Sequence, residues 1–179
     1  SVLSTEKAEC MGMIRKALLS DLPIVLSIIQ YGREKMIASG NSHQWGSTHP
    51  SDEQIKTDIE KGDSYLVLSG DGSPIATFAF IQGTDPTYLK IEGEGWLNNE
   101  PYGTIHRVAS VPNSHGVLSA VMEYCFQKVK NIRIDTHEEN VIMRNALKKL
   151  GFSYCGIIYL ENGDPRLAFQ RTIDNSRSI

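Results

Sequence analysis

The stretch "IDTHEENVIMRNALKKLGF", Ile134 to Phe152, decides the fold of this 179-residue chain. It opens on the end of a short apolar strand, and the polar run that follows leads to Asn140, a residue type that often caps the start of a helix. The next residues suit a helix, which Gly151 closes at a position where helices commonly end. The stretch therefore predicts a strand, a capped helix and then a second strand that follows Gly151.

A second stretch, "HRVASVPNSHGVLSAV" from His106 to Val121, has the layout of a strand that runs through a short polar loop into a helix. The unpaired N–H groups at a helix start carry roughly half a positive charge, so such a layout can hold a phosphate. Gly116 permits a positive φ or a close approach of the backbone to an anion. On the residues alone, a plain turn that enters a surface helix explains the stretch equally well.

The remaining elements follow from local signals along the chain. A first strand is predicted within residues 13–18, and helices begin near Ser20 and Ser51. Asp71-Gly72 and Asn162-Gly163 each join two apolar runs and indicate hairpins. The element order β-α-α-β-β-β-α-β-α-β-β predicts an α/β fold of the α+β type, in which a mixed, mostly antiparallel sheet has helices on both faces.

Together these motifs resemble the GNAT superfamily of N-acetyltransferases. The similarity rests on Asn140 at a helix start, on Leu150-Gly151-Phe152 at its end and on the strand–loop–helix unit that begins at His106. The stretches "YGTIHRVAS" and "CGIIYLENGDPRLAFQR" are similar to an uncharacterised bacterial group within it. The resemblance covers about residues 13–171 and implies a single acetyltransferase domain there, with a splay between the two central strands of the sheet.

The resemblance also implies acetyl-CoA as co-substrate, with its pyrophosphate on the loop before the helix and its pantetheine arm along the preceding strand. The residues that it assigns to the cofactor are Val108, Ala109, Ser110, Asn113, His115, Gly116, Val117, Leu118, Ser119 and Asn140. Asn113 and Leu118 depart from the family's loop pattern. Leu147 stands where many members carry a tyrosine that protonates the leaving thiolate.

Acetylation of an amine needs a base, because a free amine with a pKa near 10 arrives mostly protonated at neutral pH. His106 is the first candidate, since histidine titrates near neutrality and this one precedes the loop; strand periodicity places it on one face with Thr104 and Val108. His137 and Glu92 are further candidates. A structural histidine and solvated loop carboxylates remain alternative interpretations. Tyr154 and Tyr159 are unranked candidates for the acid.

The acceptor pocket is expected where the connection between the first two helices meets the long loop of residues 83–102. Acidic and aromatic side chains there suit an ammonium group through charge and cation–π contact. The predicted substrate-binding residues are Trp45, Glu94, Trp96 and Tyr102. An equally good alternative is that the loop packs its aromatic side chains as a small satellite core.

Composition limits the remaining choices. The net charge of -3 and the lack of a basic run argue against nucleic acid, and mild acidity weakly favours a cationic or neutral substrate. No apolar run reaches the length of a membrane helix, and three scattered cysteines without metal spacing predict a reducing compartment and no metal site, so we expect a cytoplasmic protein without a membrane partner. Residues 1–12 are interpreted as a flexible arm and residues 172–179 as a tail. A homodimer is compatible with the sequence.

These observations lead to one functional prediction with two alternatives. The prediction is an acetyl-CoA-dependent N-acetyltransferase that acts on the primary amine of a small molecule by direct attack in a ternary complex. The first alternative is a GNAT-like module that binds CoA with weak or no catalysis, which the missing tyrosine slightly favours. The second is an acetyltransferase for peptide or protein amines.

Overall fold

A computed structural model describes residues 12–174 and contains the predicted order of elements. Two short 3-10 turns, Leu19–Asp21 and Pro86–Tyr88, are added to that order. The strands and helices are β1 Ile14–Lys16, α1 Leu22–Ala38, α2 Asp52–Glu60, β2 Ser64–Leu68, β3 Pro74–Gln82, β4 Gly103–Ser110, α3 Val117–Phe126, β5 Asn131–Thr136, α4 Val141–Lys149, β6 Ser153–Tyr159 and β7 Pro165–Thr172.

The strands form one seven-stranded sheet in the order β1-β2-β3-β4-β5-β7-β6. Five of the neighbouring pairs are antiparallel and β4 with β5 is parallel, which confirms the mixed, mostly antiparallel sheet. The register of the parallel pair joins Gly103 to Ile132 and Thr104 to Arg133, at the amino-terminal ends of both strands. The cavities described below are lined by the later residues of these two strands.

The helices cover both faces of the sheet, as predicted. On one face, α3 and α4 bury Val121, Met122 and Leu147 against strand residues such as Phe78 and Ile132. On the other face, α1 and α2 contribute a second cluster, whose members are Val25, Ile28, Ile29, Ile55 and Ile59 with Trp45, Leu66 and Ala109. Helices therefore cover the sheet on both sides.

A β-bulge in β4 interrupts the simple alternation of side chains that the sequence predicts. His106 pairs with Ala79 and Ala109 pairs with Thr77, so two residues of β4 lie opposite one residue of β3, and Arg107 has a φ of 54°. Because of the extra residue, Val108 packs against the same core cluster as Ile105, whereas Ala109 packs on the opposite face. The prediction that Val108 shares the face of His106 is therefore wrong beyond the bulge.

The bulge residue is held by a bidentate ion pair. Arg107 donates through Nε and Nη2 to the two carboxylate oxygens of Asp58 in α2, at 2.6 and 2.9 Å. Both side chains are largely buried, with 14% and 5% of their surface exposed. Gln54, one turn earlier in α2, donates to the same carboxylate at 3.0 Å. The pair therefore fixes α2 against the bulge.

The described residues also adjust the predicted domain boundaries. Thr172, assigned to the tail, pairs with Asn131 in the sheet, and the N–H of Ile173 donates to the carbonyl of Lys130. The predicted arm, residues 1–12, lies outside the described residues apart from Gly12. Among the helices within residues 12–174, none combines the length and the apolar character needed to cross a membrane.

We predict that Asp58→Ala lowers the free energy of unfolding by about 3 kcal/mol, because it leaves the Arg107 guanidinium largely buried without its partner. Urea unfolding checks this value, with the exposed Asp52→Ala in the same helix as control. A loss no larger than that of the control contradicts the role given to the pair.

Candidate functional site

Two adjoining cavities lie on the carboxyl-terminal side of β4 and β5. The first, of about 500 Å³, is called the histidine cavity because His49 and His106 line it. The second, of about 320 Å³, is called the loop cavity because the segment after β4 lines it, from Ser114 to Leu118. Met36, Val108 and Met143 line both cavities, so the two spaces meet at these side chains.

The loop cavity collects most of the residues that the sequence assigns to the cofactor. Eight of the ten line it, and Asn113 and Ser119 do not. Sequence reasoning missed the contributions of two helices, namely Gly32, Lys35 and Met36 of α1 with its C-cap Ser39, and Ile142, Met143 and Ala146 of α4. The spacing of the α1 residues, which places them on one helix face, is a signal that identifies them once the cavity is known.

The backbone of this loop takes left-handed conformations at two residues. Gly116, the N-cap of α3, has φ 72° and ψ 9°, and Asn113 has φ 63°. A Cβ atom added to Gly116 meets no heavy atom within 4 Å, so the backbone conformation rather than crowding requires the glycine. The open space lies at the start of a ten-residue helix, whose first N–H groups have no partner within the helix.

Asn140 combines the two roles that the sequence allowed. Its Oδ1 accepts a hydrogen bond from Met143 N at 3.0 Å and so caps α4, while the residue also lines the loop cavity. Its Nδ2 donates to Gln44 Oε1 at 3.1 Å. The same oxygen accepts from Asn41 at 3.0 Å and from Thr136 at 3.2 Å, so Gln44 ties the α1–α2 connection to the ends of β5 and α4.

His106 lies on the histidine cavity and is paired with a carboxylate. Its Nε2 is 3.1 Å from Asp85 Oδ2, and Asp85 also accepts hydrogen bonds from the N–H and hydroxyl of Thr87 at 2.9 and 2.7 Å. Burial raises the pKa of Asp85, but the hydrogen bonds from His106 and Thr87 outweigh it and lower this pKa to about 2. Asp85 is therefore ionised at neutral pH and orients the imidazole. In the sequence, Asp85 is one of several acidic residues of the long loop, and nothing there marks it as the partner of His106.

The other two predicted bases lie elsewhere. His137 Nδ1 accepts from Glu139 N at 3.0 Å just before α4, and burial followed by the charge of Arg166 lowers its pKa. Glu92 is exposed and accepts from the Tyr159 hydroxyl at 2.9 Å. Neither residue lines either cavity. Of the three candidates, the structure brings only His106 to the cavity.

Sequence reasoning missed a second histidine of the cavity, His49. Burial of its ring in the cavity wall lowers its pKa, and the charges of Arg107, Arg166 and Arg33 lower it further. This imidazole is therefore neutral at neutral pH. No local motif marks His49, because the α1–α2 connection that carries it reaches the cavity only in the folded chain.

The loop of residues 83–102 packs as the satellite core that was one of the two interpretations. Tyr88 and Tyr102 are buried with Ile158 and Ala168, and Trp96 donates to the carbonyl of Tyr88 at 2.9 Å. The guanidinium of Arg133 stacks on both rings, 4.2 Å from the centroid of Trp96 and 4.1 Å from that of Tyr102.

This packing decides where the predicted substrate-binding residues lie. Trp45 lines the histidine cavity, although it is only 7% exposed. Glu94, Trp96 and Tyr102 line neither cavity. The rings of Trp96 and Tyr102, which were predicted to bind a substrate ammonium group, are instead stacked against the guanidinium of Arg133.

The two described cysteines are unsuited to nucleophilic chemistry. Burial raises the pKa of Cys125 to about 12, and burial also raises the pKa of Cys155. Neither thiol lines either cavity. Within residues 12–174, no group of three His, Cys, Asp or Glu side chains is arranged to hold a metal ion.

Comparison with solved structures identifies the fold. A GNAT-family acetyltransferase from Streptococcus agalactiae 2603 is 29% identical, with a TM-score of 0.82 over 91% of this chain and 96% of that chain. The chain is a member of the GNAT superfamily. A putative acetyltransferase from Staphylococcus aureus MU50 is 22% identical, with a TM-score of 0.67 over 91% and 100% of the two chains. No family model and no curated protein sequence matches the chain.

A third GNAT structure is a phosphinothricin acetyltransferase from Sinorhizobium meliloti in complex with AcCoA. It is 14% identical, has a TM-score of 0.61 and covers 94% of this chain and 92% of its own. At this identity the comparison supports the fold alone.

Two positions at which the chain departs from the GNAT pattern have a structural explanation. Leu147 is fully buried in the core cluster between the sheet and α4, so the position of the family's tyrosine is a packing position here. Leu118 packs partly against the same cluster while it lines the loop cavity. Tyr154 and Tyr159, the other candidates for a proton donor, line neither cavity.

We predict that the stability difference between the wild-type protein and Asp85→Asn depends on pH. A carboxyl whose folded pKa lies below its unfolded value of about 3.9 stabilises the fold above about pH 4, and this stabilisation is lost as the pH falls toward 2. The difference in unfolding free energy, measured in urea, is expected to shrink by about 2 kcal/mol between pH 5 and pH 2. A difference that does not change with pH contradicts the strongly lowered pKa of Asp85.

Proposed function

We propose that the protein is an acetyl-CoA-dependent N-acetyltransferase that acts on the primary amine of a small molecule by direct attack in a ternary complex. One observation carries the proposal. A cavity lined by the start of α3 and a cavity lined by the His106–Asp85 pair meet at the side chains of Met36, Val108 and Met143. An acetyl donor bound in the loop cavity and an acceptor bound in the histidine cavity would therefore come together where the two cavities join.

The loop cavity fits the CoA part of the donor. The backbone N–H groups at the start of α3 are suited to the pyrophosphate, and Gly116 leaves the approach to them open. Lys35 of α1, which also lines the cavity, adds a cationic group for a phosphate. The AcCoA complex of the Sinorhizobium GNAT protein supports the choice of this co-substrate.

The pantetheine arm is proposed to lie along the last residues of β4. Ala109 and Ser110 pair with β3 on one side, while Val108, Ala109 and Ser110 line the loop cavity on the other. The register pairs with β5 lie at the opposite end of the strand, at Gly103 and Thr104. This arrangement supports the predicted splay, and it leaves room for Asn140 to contact the arm from the start of α4.

His106 is proposed as the general base. When bound, acetyl-CoA supplies an activated acyl group; the chain has to supply a neutral amine beside it. His106 takes a proton from the ammonium group. The neutral amine then attacks the thioester carbonyl, the C–S bond breaks, and CoA leaves as a thiolate that takes up the proton lost from the attacking nitrogen. Asp85 is the positioning residue that holds the imidazole and stabilises its protonated form. Direct attack is favoured over a covalent acetyl-enzyme because both described cysteines are buried and have raised pKa values.

We predict that Gly116→Glu weakens acetyl-CoA binding at least about 100-fold, because it sets a carboxylate against the pyrophosphate. Gly72→Glu is the matched control, since Gly72 also has a positive φ and open space around its Cβ but lies in the β2–β3 hairpin. The readout is the thermal shift caused by acetyl-CoA. Equal shifts in both variants would mean that the loop is not the cradle, and no shift in the wild-type protein excludes both the enzyme and the CoA-binding module.

We predict that His106→Gln lowers turnover by about 100-fold or more and removes the rise of the rate with pH, because glutamine keeps a polar partner for Asp85 but cannot take a proton. His43→Gln, at an exposed histidine outside both cavities, is the control. Release of free CoA thiol with a panel of amines, polyamines, amino acids and peptides measures the rate. An unaltered pH profile removes His106 as the base, and a thermal shift without turnover on any acceptor favours the CoA-binding module.

A further inference from the structure

Arg166, which none of the predicted roles uses, is a buried guanidinium on the wall of the histidine cavity. It lies in β7, is 6% exposed and lines the cavity. Its Nη1 donates to the carbonyl of Pro165 at 2.9 Å and its Nη2 to the carbonyl of Gln44 at 3.3 Å. An arginine has five N–H donors, so these two bonds to neutral acceptors leave capacity for a ligand.

The charges around Arg166 leave it without an ion-pair partner. Among residues 12–174, no carboxylate lies within 4 Å of it, whereas Arg107, the other arginine of the cavity, is neutralised by Asp58. The charges of Asp135 and Asp164 influence Arg166 only at longer range. Asp135 accepts a hydrogen bond from the hydroxyl of Tyr88 at 2.6 Å. Burial lowers the pKa of Arg166, which reflects the cost of holding this charge away from water.

Burying an arginine charge without a carboxylate partner destabilises the fold. On the wall of a cavity, an anionic ligand can supply the missing partner. The planar guanidinium matches a carboxylate in a two-point hydrogen-bonded pair. The neutral His49 on the same wall adds a hydrogen-bonding group beside the site without adding a competing negative charge.

We infer that the acetyl acceptor is an amino acid, whose carboxylate binds Arg166 and whose amine lies at the His106–Asp85 pair. This inference rests on the proposed function and names its substrate class. Asp85, beside His106 on the cavity wall, attracts the ammonium group, and Arg166 attracts the carboxylate, so the cavity presents a group for each charge of a zwitterion. The net charge of the chain was expected to favour a cationic or neutral substrate. This inference differs, because the local charge of Arg166 rather than the net charge of the chain determines which groups the cavity binds.

The test compares acceptors that differ only in the carboxylate. Each of the twenty protein amino acids is offered with acetyl-CoA beside its α-amide and the amine that lacks the carboxyl group, and kcat/KM is measured for each. At least one free amino acid is expected to exceed its amide by about 100-fold or more, since loss of the anion leaves the buried guanidinium unpaired. In Arg166→Gln, this preference is expected to disappear while the KM for acetyl-CoA stays unchanged.

Two further variants and a binding assay complete the design. Arg166→Lys keeps the charge without the planar fork and is expected to retain part of the preference, and Arg144→Gln, at an exposed arginine that lines neither cavity, is expected to retain all of it. The thermal shift caused by acetyl-CoA reports that each variant is folded. The additional shift caused by the amino acid in the presence of CoA reports acceptor binding without turnover.

The outcomes separate this inference from the proposed function. Turnover that is equal for acids and amides, or a preference that survives Arg166→Gln, overturns the inference and leaves acetyl transfer standing. Binding of an amino acid that depends on Arg166, without turnover, supports the site and contradicts the enzyme. Absence of both binding and turnover for every carboxylate-bearing acceptor overturns the inference as well.

Discussion

The ion pair between Asp58 and Arg107 is the interaction on which the rest of the site depends. Arg107 occupies a bulge that inserts one residue into β4, and its positive φ persists because a carboxylate from α2 binds the guanidinium at two points. The extra residue inverts the alternation of the strand. His106 and Arg107 line the histidine cavity, Ala109 and Ser110 line the loop cavity, and Val108 between them lines both. One strand thus serves both cavities.

A second set of contacts encloses the two cavities from the side of α1. Gln44 accepts hydrogen bonds from Asn41, Thr136 and Asn140, and its carbonyl accepts from Arg166. The bonds from Thr136, Asn140 and Arg166 join residues more than 90 positions apart in the chain, so the connection between α1 and α2 is held against β5, α4 and β7. The acceptor side of the site and the cap of α4 are therefore built around one side chain.

The fold followed from the sequence because its signals are local. Asn140 caps a helix and Gly116 takes a positive φ, as their positions in the chain indicate, and the hairpins lie where Asp71-Gly72 and Asn162-Gly163 place them. The site was only partly predictable, because its pairs are formed between distant elements. Asp85, in the long loop, pairs with His106 in β4. The aromatic residues of the same loop stack on Arg133 of β5. Spacing along the sequence reveals neither of these long-range contacts.

In the proposed reaction, donor and acceptor meet at the side chains of Met36, Val108 and Met143, where the two cavities join. A crystal structure of the protein with CoA tests it most directly. We expect the pyrophosphate on the N–H groups at the start of α3 and the thiol at these three side chains, facing His106. A pyrophosphate bound elsewhere, or a thiol that points away from the histidine cavity, would contradict this arrangement of donor and acceptor.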